Sequence, residues 1–216
     1  MSPAHEAKLA GIYPLADDDP HWRHGPRSLV PAALAGGATV LQLRLKHTSD
    51  REALELCGWA VERAHASGAL LIMNDRFDLA DLAGADGVHL GQDDLKPERI
   101  PEAVRHRLLV GLSTHTLDQV LESRQRPVDY IAFGPVFATD SKESGYSARG
   151  VEALAEAVRS AGRPVVAIGG VCAENLPQLR EAGARAAAVI SAIADAALPA
   201  EATRLLREKF GSPPGG

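Results

Sequence analysis

The chain has 216 residues, of which 45% are hydrophobic, and its formal net charge at pH 7 is −5. This length suits one domain with a single large core, and the acidic balance excludes a chain-wide basic surface that would bind nucleic acid. No apolar run approaches the roughly 20 residues that cross a bilayer, and the start of the chain lacks the apolar stretch of a signal peptide. The two cysteines, Cys57 and Cys172, stand at no metal-binding spacing and do not suggest a disulfide framework. We therefore expect a cytoplasmic protein without nucleic-acid or membrane partners, and the sequence leaves homo-oligomerisation open.

Short apolar runs alternate along the chain with segments of helical periodicity. The expected strands span residues 11–15, 39–43, 70–73, 87–90, 108–111, 130–133, 164–168 and 186–190. The expected helices span residues 27–34, 50–66, 77–83, 117–121, 151–161, 174–182 and 199–210, and Pro97 stands where another helix could begin. On the second helix, the spacing predicts a buried stripe made of Ala53, Leu54, Cys57, Ala60, Val61 and Ala64.

Alternating strands and helices predict a parallel sheet, and eight such units predict a closed (β/α)8 TIM barrel. A doubly wound open sheet is the alternative, and the regularity of the eight units disfavours it. We expect a barrel catalytic domain over residues 11–210, an N-terminal extension over residues 1–10 and a disordered tail over residues 211–216. In such a barrel the polar residues at the C-terminal strand ends form one ring, where the active site lies.

Two consecutive strands end in carboxylates, Asp75 after the third and Asp94 after the fourth. Because the strands are expected to be parallel, both carboxylates lie at the same end of the sheet and can approach each other. Two carboxylates with few neighbouring cations favour a divalent metal with oxygen ligands, most simply Mg²⁺. Alternatively, Asp75 caps the following helix and Asp94 closes a turn.

Gln42, Arg44 and Lys46 alternate at the end of the second strand. A period of two places all three on one side of the strand, facing the barrel mouth. A forked guanidinium and an ammonium suit a diphosphate group. The alternative is a solvated strand end whose charges form salt bridges.

Further candidates for phosphate binding follow the later strands. Thr139, Ser141 and Lys142 lie in a long loop whose glycines would let it close over the site, although a polar surface loop explains them too. Gly169-Gly170 and Ile190-Ser191 end the seventh and eighth strands, where barrels often bind phosphate through backbone N–H groups. A tight turn would equally explain the glycine pair.

Two of the eight histidines, His89 and His115, stand at strand ends. We interpret His89 as a packed, hydrogen-bonded strand residue. His115 is the better catalytic candidate, although it could instead cap a helix. Neither cysteine has an obvious His or Asp that would activate it, so both are interpreted as structural or incidental.

Seven segments together resemble the thiamine phosphate synthase family, and they occur in the family's order. They are VLQLRLK (40–46), IMNDR (72–76), GADGVHLGQDD (84–94), GLSTHT (111–116), FGPVFATDSK (133–142), AIGGV (167–171) and VISAI (189–193). The resemblance implies a (β/α)8 transferase that joins 4-amino-2-methyl-5-hydroxymethylpyrimidine diphosphate to 4-methyl-5-(2-phosphoethyl)thiazole. The products would be thiamine phosphate and diphosphate, and the family uses Mg²⁺.

The resemblance also implies roles for individual residues. Asp75 and Asp94 would hold Mg²⁺. The pyrimidine diphosphate would be held by Gln42, Arg44, Lys46, Asn74 and Lys142. Ser113, Thr139, Ser141, Gly170, Ile190 and Ser191 would surround the substrates, the later ones at the thiazole phosphate. Among these, Arg44, Lys46, Lys142 and Ser113 are the catalytic candidates.

The sequence departs from the family pattern at Leu45, where many members carry Glu, and at Ser141, where Thr is common. Two other functions remain open. The 139–142 segment also resembles a related thiazole tautomerase of the same fold, but the Gly91-Gln-Asp-Asp94 segment favours the synthase. A non-catalytic barrel that binds thiazole or thiamine phosphates is the third possibility, and the retained cations and carboxylates argue against it.

Overall fold

The structure is a computed structural model that describes residues 3–139 and 147–211. Its strands are β1 Gly11–Asp17, β2 Val40–Arg44, β3 Leu70–Asn74, β4 Gly87–Leu90, β5 Leu109–Thr114, β6 Tyr130–Phe133, β7 Val165–Ile168 and β8 Ala186–Val189. Its helices are α1 Pro3–Lys8, α2 Pro26–Ala35, α3 Asp50–Ala66, α4 Phe77–Ala83, α5 Glu102–Arg105, α6 Leu117–Ser123, α7 Val151–Ala161, α8 Leu176–Glu181, α9 Ser191–Ala194 and α10 Pro199–Phe210. A single 3₁₀ turn covers Pro97–Arg99.

Each strand pairs in parallel with the next, and β8 pairs with β1, which closes the barrel. The predicted (β/α)8 fold is therefore confirmed, and the open-sheet alternative is wrong. The pairing also extends four strands, β1, β2, β3 and β5, beyond their predicted ends. Asp17 of β1 pairs with Arg44 of β2, and Thr114 of β5 pairs with Phe133 of β6.

Period-two alternation separates the barrel interior from the layer beneath the helices. On β2, Gln42 and Arg44 line the interior at the C-terminal end, whereas the fully buried Leu41 and Leu43 lie on the opposite face of the strand. The interior end of the strand can therefore carry polar chemistry while its other face contributes to the apolar core.

Helix α3 shows why the sequence folds this way locally. Acidic Asp50 and Glu52 occupy its first turn and basic Arg63 and His65 its last, which complements the helix dipole. Its buried stripe is Ala53, Leu56, Cys57, Ala60, Val61 and Ala64. Leu54, which was predicted for this stripe, is only partly buried and packs against the core, whereas Leu56 was not predicted and is buried. Burial raises the pKa of the Cys57 thiol to about 12, which keeps it protonated and fits a structural role.

The last helix, α10, joins the end of the chain to its beginning by packing on β1 and α2. A Cβ atom at Gly36, just after α2, would lie 2.5 Å from Thr203 Cβ of α10, so the close approach of the two helices requires glycine there. Phe210 at the end of α10 is completely buried, whereas Leu205 on the same helix is 49% exposed. None of the described helices is long and apolar enough to cross a membrane.

We expect Phe210→Ala to lower the free energy of unfolding by about 3–5 kcal/mol, because it leaves a cavity where a large aromatic ring packed. Urea unfolding followed by circular dichroism measures this change. Leu205→Ala is the matched control, and as an exposed position it should change the stability by about 0.5 kcal/mol or less. Equal losses in the two variants would contradict the role of Phe210 in fastening α10.

Candidate active site

Two adjoining pockets open at the C-terminal ends of the barrel strands, where this fold places its chemistry. The first pocket lies over the barrel interior and is lined by side chains from all eight strands. The second pocket lies beside it, over the ends of β5 to β8. Ser113, Ile168 and Ala188 line both pockets, so the two spaces meet. This arrangement can bring two ligands into contact beside Ser113.

The candidate residues from the sequence divide between the two pockets. Those that line the first pocket are Gln42, Arg44, Lys46, Asn74, Asp75, Asp94 and Ser113. Those that line the second are Ser113, Thr139, Gly170, Ile190 and Ser191. Ser141 and Lys142 belong to residues 140–146, which lie outside the described part of the chain, as do residues 212–216 of the expected tail.

Asp75 and Asp94 lie together in the first pocket with their carboxyl groups in hydrogen-bonding contact. Burial raises the pKa of Asp75, and the contact with Asp94 adds to this rise more than Lys46 opposes it. Burial alone would also raise the pKa of Asp94, but hydrogen bonds from Asp75 and the Gly91 N–H lower it overall. Two carboxyl groups in such close contact repel each other when both are ionised, and a bound cation would relieve that repulsion.

The backbone of Asp75 is unusual for a residue with a side chain. Its φ of 62° lies in the left-handed region, which non-glycine residues rarely adopt. The interpretation of Asp75 as a helix cap is wrong, because Arg76 occupies the cap position of α4 and no side chain caps that helix. Asp94 does close a turn, since its Oδ2 accepts a hydrogen bond from the Gly91 N–H at 2.7 Å. A strained backbone such as that of Asp75 is found most often at functional sites.

The three polar residues of the β2 end all line the first pocket, although the strand ends at Arg44 and Lys46 lies beyond it. Arg44 Nη1 donates to Asp17 Oδ2 at 2.7 Å, and Lys46 Nζ pairs with Asp75. Arg44 and Lys46 therefore form salt bridges and also line the pocket, so the two interpretations of the strand end are compatible. Asp17 was not among the predicted site residues, and its position at the end of the first strand was the only sign of it in the sequence. Leu45 packs against the hydrophobic core.

A row of buried hydrogen bonds crosses the barrel beneath the first pocket. It includes Tyr13 of β1 and Tyr130 of β6, which no sequence pattern singles out because they are 117 positions apart. His89 of β4 is buried and hydrogen-bonded to Tyr130 and Ser113, which confirms its interpretation as a packed strand residue. Burial raises the pKa of both tyrosines, so their hydroxyl groups stay protonated.

The second pocket is walled by glycine backbone and apolar side chains. Gly170 has a φ of 63°, and a Cβ atom there would lie 2.4 Å from the Ala138 carbonyl oxygen. This glycine therefore lets the segment after β6 approach the end of β7. His115 lines the pocket, and its Nδ1 lies 2.6 Å from the Gly134 carbonyl oxygen. The helix-cap alternative for His115 is wrong, because Thr116 caps α6 by accepting a hydrogen bond from the Gln119 N–H.

Within residues 3–139 and 147–211, no group of three or more His, Cys, Asp or Glu side chains is arranged to hold a metal ion. Asp75 and Asp94 are thus a pair rather than a closed cage. Mg²⁺ is commonly bound by one or two carboxylates together with water and substrate phosphates, so a pair fits this ion better than it would fit a structural metal.

Another cavity lies at the opposite end of the barrel, where Gly11, Thr39 and Arg207 line it. It contains none of the candidate residues. The pockets at the strand C-termini, with their carboxylate pair and cations, are therefore the candidate active site.

Residues 12–193 match the family model described as thiamine monophosphate synthase. The chain is 42% identical to the thiamine-phosphate synthase of Chlorobium luteolum over 84% of this chain and 85% of that protein. It is also 42% identical to a thiamine-phosphate synthase of Thermus thermophilus, over 94% and 98% of the two chains. The chain spans about half the length of its Synechococcus relatives, which carry the same name.

Among solved structures, thiamine phosphate pyrophosphorylase from Pyrococcus furiosus is similar with a TM-score of 0.86 and 33% sequence identity. The similarity covers 95% of this chain and 97% of that one. The likeness therefore extends over nearly the whole of both chains.

Proposed function

The chain belongs to the thiamine monophosphate synthase family, and we propose that its two adjoining pockets couple a pyrimidine diphosphate to a thiazole phosphate. As a member of this family it is an enzyme, a transferase of thiamine biosynthesis. The substrates would be 4-amino-2-methyl-5-hydroxymethylpyrimidine diphosphate and 4-methyl-5-(2-phosphoethyl)thiazole, and the products thiamine phosphate and diphosphate. The observation that carries the proposal is the junction of a charged pocket with a largely apolar one at Ser113.

The first pocket suits the pyrimidine diphosphate. Arg44 and Lys46 supply the positive charge for the diphosphate, and Gln42 and Asn74 supply neutral hydrogen-bonding groups beside it. Asp17 holds the Arg44 guanidinium at one edge, which leaves its other N–H groups to bind phosphate oxygens. Lys142, from outside the described residues, would add a second ammonium.

Asp75 and Asp94 fit an Mg²⁺ ion, because they are paired oxygen ligands whose mutual repulsion the ion would relieve. When bound, Mg²⁺ would neutralise the negative charge that develops on the departing diphosphate. Lys46, which pairs with Asp75, lies where it can contact the same diphosphate oxygens.

The coupling needs no nucleophile from the enzyme. The bond from the pyrimidine methylene carbon to the diphosphate oxygen breaks, and the aminopyrimidine ring delocalises the positive charge left on the methylene carbon. The thiazole nitrogen then attacks with its own lone pair, so no proton has to be removed from it. Arg44, Lys46 and Lys142 stabilise the leaving group, and the pocket walls hold the reacting atoms in contact.

The second pocket suits the thiazole phosphate. Its apolar walls can pack against the thiazole ring, and Thr139 and Ser191 provide hydroxyl groups for the phosphate. Gly170 and Ile190 line it at the ends of β7 and β8, the region where barrels often bind phosphate. Ser141 would contribute a further hydroxyl from outside the described residues.

The test is to mix purified protein with both substrates, with Mg²⁺ or with excess EDTA, and to measure thiamine phosphate and diphosphate. We expect the two products in equal amounts, with turnover that EDTA stops and added Mg²⁺ restores. Product formation at the same rate in the presence of EDTA would contradict the metal assignment. If no product formed, isomerisation of a thiazole carboxylate phosphate by the same sample would favour the tautomerase, and binding without turnover would favour a carrier. The cytoplasmic location and homo-oligomerisation stay predictions.

A further inference from the structure

Five side chains form a continuous row of hydrogen bonds through the barrel. Gln42 Nε2 donates to the Tyr13 hydroxyl at 3.2 Å, and the Tyr13 and Tyr130 hydroxyls are 3.1 Å apart. The Tyr130 hydroxyl lies 3.1 Å from His89 Nδ1, and His89 Nε2 lies 2.9 Å from Ser113 Oγ. The row therefore connects Gln42 and Ser113 through Tyr13, Tyr130 and His89, of which Tyr13 and His89 also line the first pocket.

A glycine makes room for the centre of this row. Gly111 of β5 pairs with His89 of β4 on one side and with Tyr130 of β6 on the other. A Cβ atom at Gly111 would lie 2.2 Å from the Tyr130 ring and 2.4 Å from His89 Nδ1. The side chains of β4 and β6 can meet across β5 only because that strand carries no side chain at this position.

The number of protons restricts the direction of the row. Each tyrosine hydroxyl has one proton, and a neutral imidazole donates from one nitrogen and accepts at the other. If Gln42 donates to Tyr13 and Tyr13 donates its own proton to Tyr130, then Tyr130 donates to His89 Nδ1. His89 Nε2–H then donates to Ser113, whose own proton is left to point into the pocket. In the reverse direction Tyr13 would accept from both Gln42 and Tyr130, and its own proton would have no acceptor in the row although Tyr13 is only 1% exposed.

We propose that Tyr13, Tyr130 and His89 are positioning residues that hold His89 as the Nε2–H tautomer and turn the Ser113 hydroxyl proton toward the substrate. Ser113 would then act as a donor to an acceptor atom of the bound pyrimidine diphosphate, at the place where the two pockets meet. The catalytic consequence rests on the proposed function, whereas the tautomer is a property of the protein without substrate. A buried row of hydrogen bonds that is already formed costs no reorganisation when substrate binds.

The direct test is ¹⁵N NMR of the histidine rings at about pH 8.5, above the usual imidazole pKa, with His89→Gln to assign the signal. We expect the Nε2–H tautomer in the unmodified protein. Tyr130→Phe removes the donor to Nδ1 and should shift the ring toward a mixture of tautomers, whereas Tyr13→Phe leaves that donor in place and should cause a smaller shift. An Nδ1–H tautomer in the unmodified protein would overturn the proposal, whether or not the protein couples the two substrates.

The kinetic test is a double-mutant cycle with Ser113→Ala. We expect Tyr130→Phe to lower the coupling rate about tenfold, the size of one lost hydrogen bond, with little change in KM. In the Ser113→Ala background the same substitution should have almost no effect, because no hydroxyl remains to be oriented. An undiminished tenfold loss in that background would show that Tyr130 acts otherwise. Circular dichroism of each variant checks that the barrel is folded, and the NMR result on the unmodified protein does not depend on the activity of any variant.

Discussion

Replacement of Arg44 by alanine is expected to lower kcat for the coupling reaction by about 10²- to 10³-fold. The guanidinium lines the first pocket and is held by Asp17, so it presents a fixed positive charge where the diphosphate would leave. Removing a preorganised donor from developing charge costs more in the transition state than in the bound substrate, so kcat should fall more than KM rises. Steady-state measurement of thiamine phosphate formation separates the two constants.

The same substitution leaves a carboxylate without its partner, and this must be separated from the effect on catalysis. Asp17 is only 2% exposed, and the loss of one partner of a buried ion pair typically costs about 3–5 kcal/mol of stability. The double variant Asp17→Asn/Arg44→Ala removes the buried charge, and we expect it to regain stability while coupling stays low. Recovery of coupling in the double variant would assign the loss to the fold and refute the proposed role.

Two further variants calibrate this result. Arg44→Lys keeps the positive charge but not the forked geometry, so its rate should lie between those of Arg44→Ala and the unmodified protein. Arg63→Ala removes an exposed arginine from the last turn of α3, at the opposite end of the barrel, and should leave coupling unchanged.

The strands could be predicted from the sequence because each is a short apolar run bounded by polar residues, and α4 and β4 agree with prediction at both ends. The misplaced ends depend on pairing rather than on local pattern. Ala16 and Asp17 extend β1 because they find partners in Leu43 and Arg44 of β2. The short helices α5 and α9 have only four residues each, too few to show helical periodicity.

In the candidate site, too, some residues could be predicted from the local sequence and others depend on tertiary structure. The residues at strand ends could be predicted, since parallel strands bring their C-terminal ends together and a period of two selects the side that faces the mouth. Tyr13 and Tyr130 lie within apolar strands, where an aromatic residue is usually part of the core, and their contact depends on closure of the barrel. The left-handed backbone of Asp75 likewise has no sequence pattern of its own.

Asp94→Ala is expected to lower Mg²⁺-dependent coupling by about 10³-fold or more, because metal stabilisation of a leaving group contributes several kcal/mol and each 1.4 kcal/mol is about a factor of ten. The substitution removes one of the two carboxylates that would hold the ion and also the acceptor for the Gly91 N–H. Asp94→Asn separates these effects, since its amide oxygen can still accept that hydrogen bond while its charge is gone. Both variants should lose coupling, and Asp94→Asn should keep the stability of the unmodified protein more fully.

Metal binding provides a measurement that does not depend on turnover. Titration with Mn²⁺ followed by electron paramagnetic resonance should show one site in the unmodified protein with added diphosphate, and a much weaker site in both Asp94 variants. Asp93 is the matched control, because it is an exposed neighbour that does not line the pocket, and Asp93→Asn should bind Mn²⁺ and couple substrates normally. If Asp94→Asn bound Mn²⁺ as tightly as Asp93→Asn does, the ion would not be held by Asp94. Loss of coupling without loss of Mn²⁺ binding would instead make Asp94 a residue that positions Asp75 or the 91–94 turn.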